Sequence, residues 1–273
     1  MLPGLSIVMI GRDAGRALAD VLRAAMPHAD ETVFVDTGSR DDTLAIAERA
    51  GCRTFQLAWR DDFAFARNTA CSYARHAWIL SIDTDEVLRT PDARTIIDRA
   101  IAADESPAFL VTQDNVYDDG TAKPNLVARL FKNDPRIQFR NPVHECISEC
   151  FFEHFAIGRL PALDIHLEHR GYAAELIPAK LERNLGILER WERDQPTAFG
   201  LFKLGNTLVD LGRSADALPH LDRAYALLAT PGARRAAGYL HAFMVVYHRA
   251  LAAARSQASA DEFEAIANEW LRT

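Results

Sequence analysis

The chain has 273 residues, of which 49% are hydrophobic and 25% are charged, and its formal net charge at pH 7 is −7. This composition is that of a globular protein with one large domain or two smaller ones. The acidic balance argues against a nucleic-acid binder, whose surface is basic. No run approaches the roughly 18 uninterrupted apolar residues of a membrane-spanning helix, and the N-terminus lacks a basic region followed by an apolar run. Four cysteines are too few for a disulfide scaffold. We therefore expect a cytoplasmic protein.

Strands and helices alternate along the first hundred residues. Apolar runs of strand length occupy 5–10, 32–35, 54–57 and 78–82, and segments with apolar residues at helical spacing separate them. This order predicts right-handed crossovers and a largely parallel sheet flanked by helices. Ligands bind at the carboxyl ends of such strands. That edge is expected to carry the polar residues that follow the second and fourth strands, which are Asp36, Thr37, Gly38, Ser39, Asp83 and Asp85.

The fourth strand stops abruptly at a group of acids, Asp83, Asp85 and Glu86. Side chains alternate along extended chain, so Asp83 and Asp85 are expected to point to the same side. Two carboxylates there suit Mg²⁺ or Mn²⁺, which takes oxygen ligands and bridges them to substrate phosphates. Taken alone, the acids fit a helix N-terminus at least as well, because the helix dipole favours negative charge there.

The middle of the chain is less regular. Segments 109–112, 126–131 and 137–139 resemble strands, and Asp118-Asp119-Gly120 supplies a turn between the first two. Two cysteines lie between His144 and His154, but their spacing matches no zinc pattern and predicts small buried thiols instead.

From Pro178 onward the composition shifts to helix formers, which predicts a sheet domain at 1–177 and a helical region at 178–273. Helices are expected at 181–194, 198–211, 215–228, 235–255 and 261–271. The small and apolar positions of one tetratricopeptide helix pair are matched by Leu204, Gly205, Ala217 and Ala224. This region is expected to bind a partner, to pack against the sheet domain, or to form a homodimer.

Several separate motifs, in one order along the chain, resemble family 2 glycosyltransferases. More narrowly they resemble the branch that continues into tetratricopeptide-like helices, which includes lipopolysaccharide core transferases and peptide S-glycosyltransferases. The resemblance runs from about residue 5 to about residue 230. It is carried by segments 35–43, 59–68, 78–86, 129–132, 143–145 and 169–172. It implies a GT-A fold, which is Rossmann-like with a mostly parallel sheet, followed by the helical region.

The same resemblance implies an inverting transfer from a nucleotide-diphosphate sugar, with Mg²⁺ or Mn²⁺ as the cofactor. A UDP-sugar is the preferred donor, and the acceptor is a glycan, a lipid-linked molecule or a peptide. By this resemblance Asp36 contacts the base or ribose and Arg67 holds the base. Asp83 and Asp85 bind the ribose and the metal-bridged diphosphate. Independently, the small residues and hydroxyls of the segment with Thr37 and Ser39 suit close backbone approach to a ligand, although they also suit a plain turn and helix cap.

Inversion requires a base that takes the acceptor proton. Glu145 is the first candidate, because it matches the acceptor-side motif of the family, and His144 is the second. The plain alternative is a surface glutamate beside a structural histidine. His169 is a candidate metal or phosphate ligand or else a structural histidine. For Arg67 the competing explanation is a salt bridge with nearby acids, Asp61 and Asp62.

The loop after the first strand departs from the family pattern. Relatives usually follow the first strand with Lys-Asn-Glu or a close variant, whereas this chain has Gly11-Arg12-Asp13-Ala14-Gly15 and lacks the Asn.

Two other function classes compete with glycosyl transfer. A nucleotidyltransferase would carry a Gly-rich basic loop after the first strand, and residues 11–15 are a poor version of such a loop. A non-catalytic interaction protein with a remnant sheet domain is the third class, and the intact Asp83 and Asp85 argue against it. Bacterial surface-glycan synthesis, with peripheral contact at the inner face of the membrane, is the expected setting.

Overall fold

A computed structural model describes residues 2–171, 175, 177–228, 248–249 and 251–252. The chain divides into two compact units, Met1–Leu176 and Ile177–Thr273. The helix expected at 261–271 and Tyr172 of the last family motif lie outside the described residues, as does most of the helix expected at 235–255. Within the described part of the chain, no helix combines the length and apolar character needed to cross a bilayer.

The first unit is built on one sheet. Its strands are β1 (Leu2–Gly11), β2 (Glu31–Asp36), β3 (Arg53–Gln56), β4 (His76–Ser81), β5 (Glu86–Leu88), β6 (Ala108–Val116), β7 (Ala122–Lys132) and β8 (Ala162–His169). The strand order is β3-β2-β1-β4-β7-β6-β8-β5. The first four strands in that order run parallel, as predicted, whereas β7 is antiparallel to β4 and to β6, and β5 is antiparallel to β8. β6 and β8 pair parallel. The sheet is therefore mixed, with four adjacent parallel strands from the N-terminal part of the chain.

Helices cover both faces of this sheet because β1 is apolar on both sides, as in a doubly covered parallel sheet. The helices are α1 (Gly15–Ala25), α2 (Thr43–Ala50), α3 (Phe63–Ser72), α4 (Ala93–Ala103) and α5 (Ser148–Phe155). One core cluster joins alternate residues of β1 to α1, namely Leu5, Ile7 and Met9 with Leu18, Val21 and Leu22. The other joins the opposite face to α3, namely Val8 and Ile10 with Ala64, Ala66 and Ala70.

The strand predicted at 137–139 is absent, so that prediction is wrong. The backbone of Phe139 finds its partners elsewhere. Asn68 on α3 accepts a hydrogen bond from the Phe139 N–H over 2.8 Å and donates to its carbonyl oxygen over 2.9 Å. Because one side-chain amide satisfies both backbone groups, this apolar segment is fixed without a sheet neighbour.

The second unit contains α6 (Ile177–Asp194), α7 (Ala198–Asp210) and α8 (Ser214–Leu227). The last two helices approach closely: a Cβ built on Gly205 would lie 2.5 Å from Cγ of Leu221. Leu204, Ala217 and Ala224 are fully buried. The small residues that suggested a tetratricopeptide helix pair therefore lie inside the unit.

Candidate active site

The loops after β1 and β2 meet at the carboxyl edge of the sheet, where Gly11 pairs with Asp36. Asp36 is buried, and its carboxylate accepts hydrogen bonds from the backbone N–H groups of Gly38 and Ser39 and from the Ser39 hydroxyl. Thr37 donates to the Gly11 carbonyl from its N–H over 2.9 Å and from its hydroxyl over 3.1 Å. These side chains shape the loop, and their contact with a nucleotide stays a prediction.

The unusual loop after β1 is locked to the loop after β2. Asp13, in the left-handed region with φ 49°, accepts from the Arg40 N–H over 2.7 Å, and its own N–H donates to the Ser39 hydroxyl over 2.9 Å. Thr43 accepts from the N–H of Gly15 over 2.9 Å. Asp13, the acid that this chain keeps where relatives have Lys-Asn-Glu, therefore joins the two loops at the edge of the sheet.

The acids after β4 lie in a turn and not in extended chain. The Glu86 N–H donates to the Asp83 carbonyl over 3.1 Å, and the Glu86 carboxylate accepts from the Asp83 N–H over 2.8 Å. The chain then enters β5 at Glu86. Two expectations are therefore corrected: Asp83 and Asp85 do not share a side through strand alternation, and the turn does not begin a helix.

Arg67 joins this turn to the loop that follows Asn141. Its side chain is only 6% exposed; Nη2 donates to Asp83 Oδ1 over 2.5 Å and Nε donates to Glu145 Oε1 over 2.6 Å. Burial alone would lower the pKa of Arg67, but the two carboxylates raise it above its usual value. The ion pairs of Arg67 are thus made with acids distant in sequence and not with the nearby acids expected. Asp62 caps α3 by accepting from the Phe65 N–H, and Asp61 accepts from Trp59 Nε1 over 2.7 Å.

Arg129 on β7 holds the other side of Asp83. Its Nη2 donates to Asp83 Oδ2 and to Glu86 Oε1, each over 2.8 Å, and Gln113 on β6 also donates to Glu86. Burial would raise the pKa of Asp83, but Arg67 and Arg129 hold it well below its usual range. Burial raises the pKa of Glu86. Both oxygens of Asp83 are thus engaged by arginine, which leaves Asp85 better placed than Asp83 to hold a metal.

Asp85 faces His169, with 3.4 Å between Asp85 Oδ2 and His169 Nε2. On the other side of the ring, His169 Nδ1 lies 2.8 Å from Asn115 Oδ1. An amide oxygen can only accept, so Nδ1 carries a hydrogen and Nε2 is left facing Asp85. Nε2 donates to Asp85 when the ring is protonated and offers a lone pair to a cation when it is not, the orientation found in metal-binding histidines. Burial opposes protonation of His169, but Asp85 raises its pKa overall.

This pair fits a divalent cation that takes its remaining ligands from substrate and water, as Mg²⁺ commonly does. Among the described residues there is no cluster of three or more His, Cys, Asp or Glu side chains arranged to hold a metal. Asp85 and His169 are the two side chains of this group that could hold a cation together.

The two candidate bases, Glu145 and His144, differ in their exposure to solvent. The loop is closed by paired backbone hydrogen bonds between Arg140 and Cys146, and both Asn141 and His144 adopt left-handed backbone angles, with φ 73° and 56°. His144 is exposed, whereas Glu145 is turned inward, with 12% of its side chain exposed. Glu145 therefore joins Arg67 and Asp83 in a buried cluster, whereas His144 lies at the surface.

Sequence reasoning missed three residues of this cluster: Glu86, Gln113 and Arg129. Local spacing gives Glu86 no role and marks Arg129 only as part of a family motif. Glu86 and Arg129 lie far apart in sequence, as do Glu86 and Gln113, so their pairing depends on the sheet order and not on local spacing.

Comparison with known proteins agrees with this fold. The model of the family described as glycosyl transferase family 2 matches residues 10–160. Since this is more than half of the chain, the protein belongs to glycosyl transferase family 2.

Two curated relatives match most of the chain. The chain is 34% identical over 217 residues to a TPR repeat-containing protein of Synechococcus elongatus, covering 76% of this chain and 53% of that protein. It is 24% identical over 233 residues to the glycosyltransferase SunS of Bacillus subtilis, covering 81% and 53%. The chain thus spans about half the length of these curated relatives.

Solved structures show the same fold. S. aureus TarS superimposes with a TM-score of 0.54 at 16% identity, covering 97% of this chain and 55% of TarS. The structure of TarS 1–349 in complex with UDP-GlcNAc gives a TM-score of 0.51 at 16% identity, covering 95% of this chain and 93% of that one. The predicted GT-A fold followed by helices is confirmed.

Proposed function

We propose that this protein is an inverting, metal-dependent glycosyltransferase that moves a sugar from a nucleotide-diphosphate donor to an acceptor hydroxyl or thiol. The observation that carries the proposal is the bridge made by Arg67 between Asp83, on the donor side, and Glu145, on the acceptor side. One buried guanidinium thereby connects the groups expected to serve the two halves of the transfer.

On the donor side, Asp85 and His169 would hold Mg²⁺ or Mn²⁺. A bound cation acts as a Lewis acid toward the departing diphosphate, an effect worth several kcal/mol in the transition state. Asp36, Thr37 and Ser39 shape the loop beside which the nucleoside would lie. Arg67, which the resemblance assigns to the base, is paired with two carboxylates and would act beside the donor by holding Asp83 in place.

On the acceptor side, Glu145 takes the proton of the attacking group as that group forms its bond to the anomeric carbon. The bond from that carbon to the diphosphate oxygen breaks on the opposite face, so the configuration inverts and the nucleoside diphosphate leaves with the bonding electrons. A positioned general base typically contributes about 10²–10⁴-fold. His144 is exposed and is the second choice for this role.

The donor and acceptor are inferred from the relatives. A UDP-sugar is favoured because the TarS structure with the same fold holds UDP-GlcNAc. A glycan acceptor in bacterial surface-glycan synthesis, such as the lipopolysaccharide core, is the first choice, with lipid-linked and peptide acceptors next. We infer a cytoplasmic enzyme with peripheral membrane contact, whose helical region serves as an acceptor or homodimer surface.

A screen of sugar nucleotides tests this proposal. Purified protein should release nucleoside diphosphate from one of them only when Mg²⁺ or Mn²⁺ is present, and Asp85→Asn should lose that release. Full activity in excess EDTA would contradict the metal assignment. A non-catalytic remnant would instead fail to bind UDP with Mn²⁺, whereas a hundredfold excess over the Kd should stabilise an active enzyme by about 2.7 kcal/mol.

A further inference from the structure

Arg129 is the extra residue of a β-bulge. The β6–β7 ladder pairs Phe109 with Leu130 and the next residue, Leu110, with Ala128, so Arg129 has no partner across the strands. The core confirms the shift: Leu130 belongs to the cluster on one face of the sheet, whereas Ala128 packs on the other. Residues two apart in a regular strand would share a face. Bulges of this kind redirect a side chain and are frequent beside active sites.

The redirected side chain makes its hydrogen bonds through a single nitrogen. Nη2 contacts Asp83 and Glu86, while Nε is buried and has no hydrogen-bond partner among the described residues. Glu86 is itself fixed, because it accepts from Gln113 and from the Asp83 backbone N–H. Nη2 of Arg129 is therefore fixed by the buried carboxylate of Glu86 and contacts Asp83 at the same time.

These contacts form a continuous chain of hydrogen bonds across the site. It runs in the order Gln113, Glu86, Arg129, Asp83, Arg67, Glu145. We propose that Arg129 is a positioning residue that, through Asp83, sets the place of Arg67 and hence of Glu145. This rests on the proposed function, since Glu145 matters as a base only if the protein transfers a group.

The kinetic test compares Arg129→Met, Arg129→Lys, Asp83→Asn and the double variant Arg129→Met/Asp83→Asn, with Arg94→Met as control. Arg94 makes ion pairs with Asp30 and Asp98, outside this cluster. A small displacement of a catalytic group can reduce turnover about 10²-fold. We expect Arg129→Met to lose about that much in kcat, with the KM for donor changed less than about threefold. Arg129→Lys, which retains one charged nitrogen, should recover part of the loss, and the control should stay near wild type.

The double variant separates action through Asp83 from independent action. If Arg129 works through Asp83, the double variant should be no slower than the slower single variant. Losses that multiply, or an Arg129→Met enzyme with kcat within threefold of wild type, would overturn the inference.

A second measurement does not depend on activity. In protein labelled with ¹⁵N-arginine, the guanidinium signals of Arg129 and Arg67 should both shift in Asp83→Asn, and those of Arg67 should shift in Arg129→Lys. Unchanged Arg67 signals in Arg129→Lys would overturn the positioning role. A wild-type protein that turns over no sugar nucleotide would contradict the proposed function, and the spectra would still decide whether Arg129 positions Arg67.

Discussion

Arg67 donates from Nε to Glu145 Oε1 over 2.6 Å, although the two residues are 78 positions apart in the chain. The neighbouring Asn68 holds the backbone of Phe139 with two hydrogen bonds. Adjacent residues of α3 therefore fix both the start of the 139–147 segment and the carboxylate near its end. The Arg-Asn pair in the family motif has a structural reason, because it orders the segment that carries the candidate base.

Glu145→Gln should abolish transfer while leaving donor binding nearly intact. The amide keeps the size of the side chain and an oxygen for Arg67 but cannot accept the acceptor proton at neutral pH. We expect kcat to fall by about 10²–10⁴-fold, the usual contribution of a general base. Initial rates and a separate titration of UDP with Mn²⁺ measure the two properties. Glu149→Gln, at an exposed glutamate in the next helix, is the matched control. An active Glu145→Gln enzyme would move the base to His144 or elsewhere.

The parallel half of the sheet and its helices could be predicted because the signals are local. Strand-length apolar runs alternate with helical spacing up to Ser81, and the observed elements follow that order. The second half, which mixes antiparallel pairs with the parallel pair β6–β8, could not be predicted equally well. The short β5 begins within the acidic turn at Glu86, and the segment around Phe139 is apolar but is held by a side chain instead of a strand.

The site was predicted in part for the same reason. Asp83, Asp85 and Glu145 stand out in local motifs, whereas Arg129 owes its position to a bulge that no spacing rule reveals. The geometry of the acids was also missed, because a turn at Asp83 replaces the expected extended chain. Long-range pairing and backbone irregularity decide these details, and neither is visible in a short sequence window.

Asn115→Ala should weaken Mn²⁺ binding without removing a proposed ligand. Asn115 holds the His169 ring through Nδ1, and loss of such an outer partner typically lowers metal affinity about 10–100-fold. Titration of Mn²⁺, followed by electron paramagnetic resonance in the presence of UDP, measures the effect. Asn125→Ala, at an exposed position of β7, should bind as wild type does. Equal affinity of the two variants would argue against His169 as a ligand.

Glu31→Gln should reduce stability at neutral pH but not in acid. Burial opposes ionisation of Glu31, yet hydrogen bonds from Ser6, the Arg75 N–H and Arg53 together lower its pKa below the ordinary 4.5. A lowered folded-state pKa gives stability that is present above the unfolded value and is lost as pH falls through the folded value. Hydrogen bonds to charged groups suggest a difference of about 1–3 kcal/mol at pH 7.

Urea unfolding at a series of pH values measures this difference. The difference in the free energy of unfolding between wild type and Glu31→Gln should shrink below about pH 4.5, where the carboxylate of the unfolded chain takes up its proton. Glu48→Gln, at an exposed position of α2, should show no comparable gap. A difference in unfolding free energy that stays constant down to pH 3 would show that Glu31 stabilises the fold through packing and not through its charge.

Gly205→Ala should destabilise the α7–α8 pair, although alanine is the better helix former. The added Cβ would lie 2.5 Å from Leu221, whose side chain is fully buried, so the helices must separate or Leu221 must leave its preferred rotamer. Overpacking of this kind costs about 1–3 kcal/mol. Gly186→Ala in α6 is the matched control, because nothing lies within 4 Å of its added Cβ, and it should gain up to about 1 kcal/mol from helix propensity. Hydrogen exchange of the α7 amides measures the change in Gly205→Ala, and exchange of the α6 amides measures the change in Gly186→Ala. Slower exchange of α7 in Gly205→Ala would contradict the close approach of the two helices.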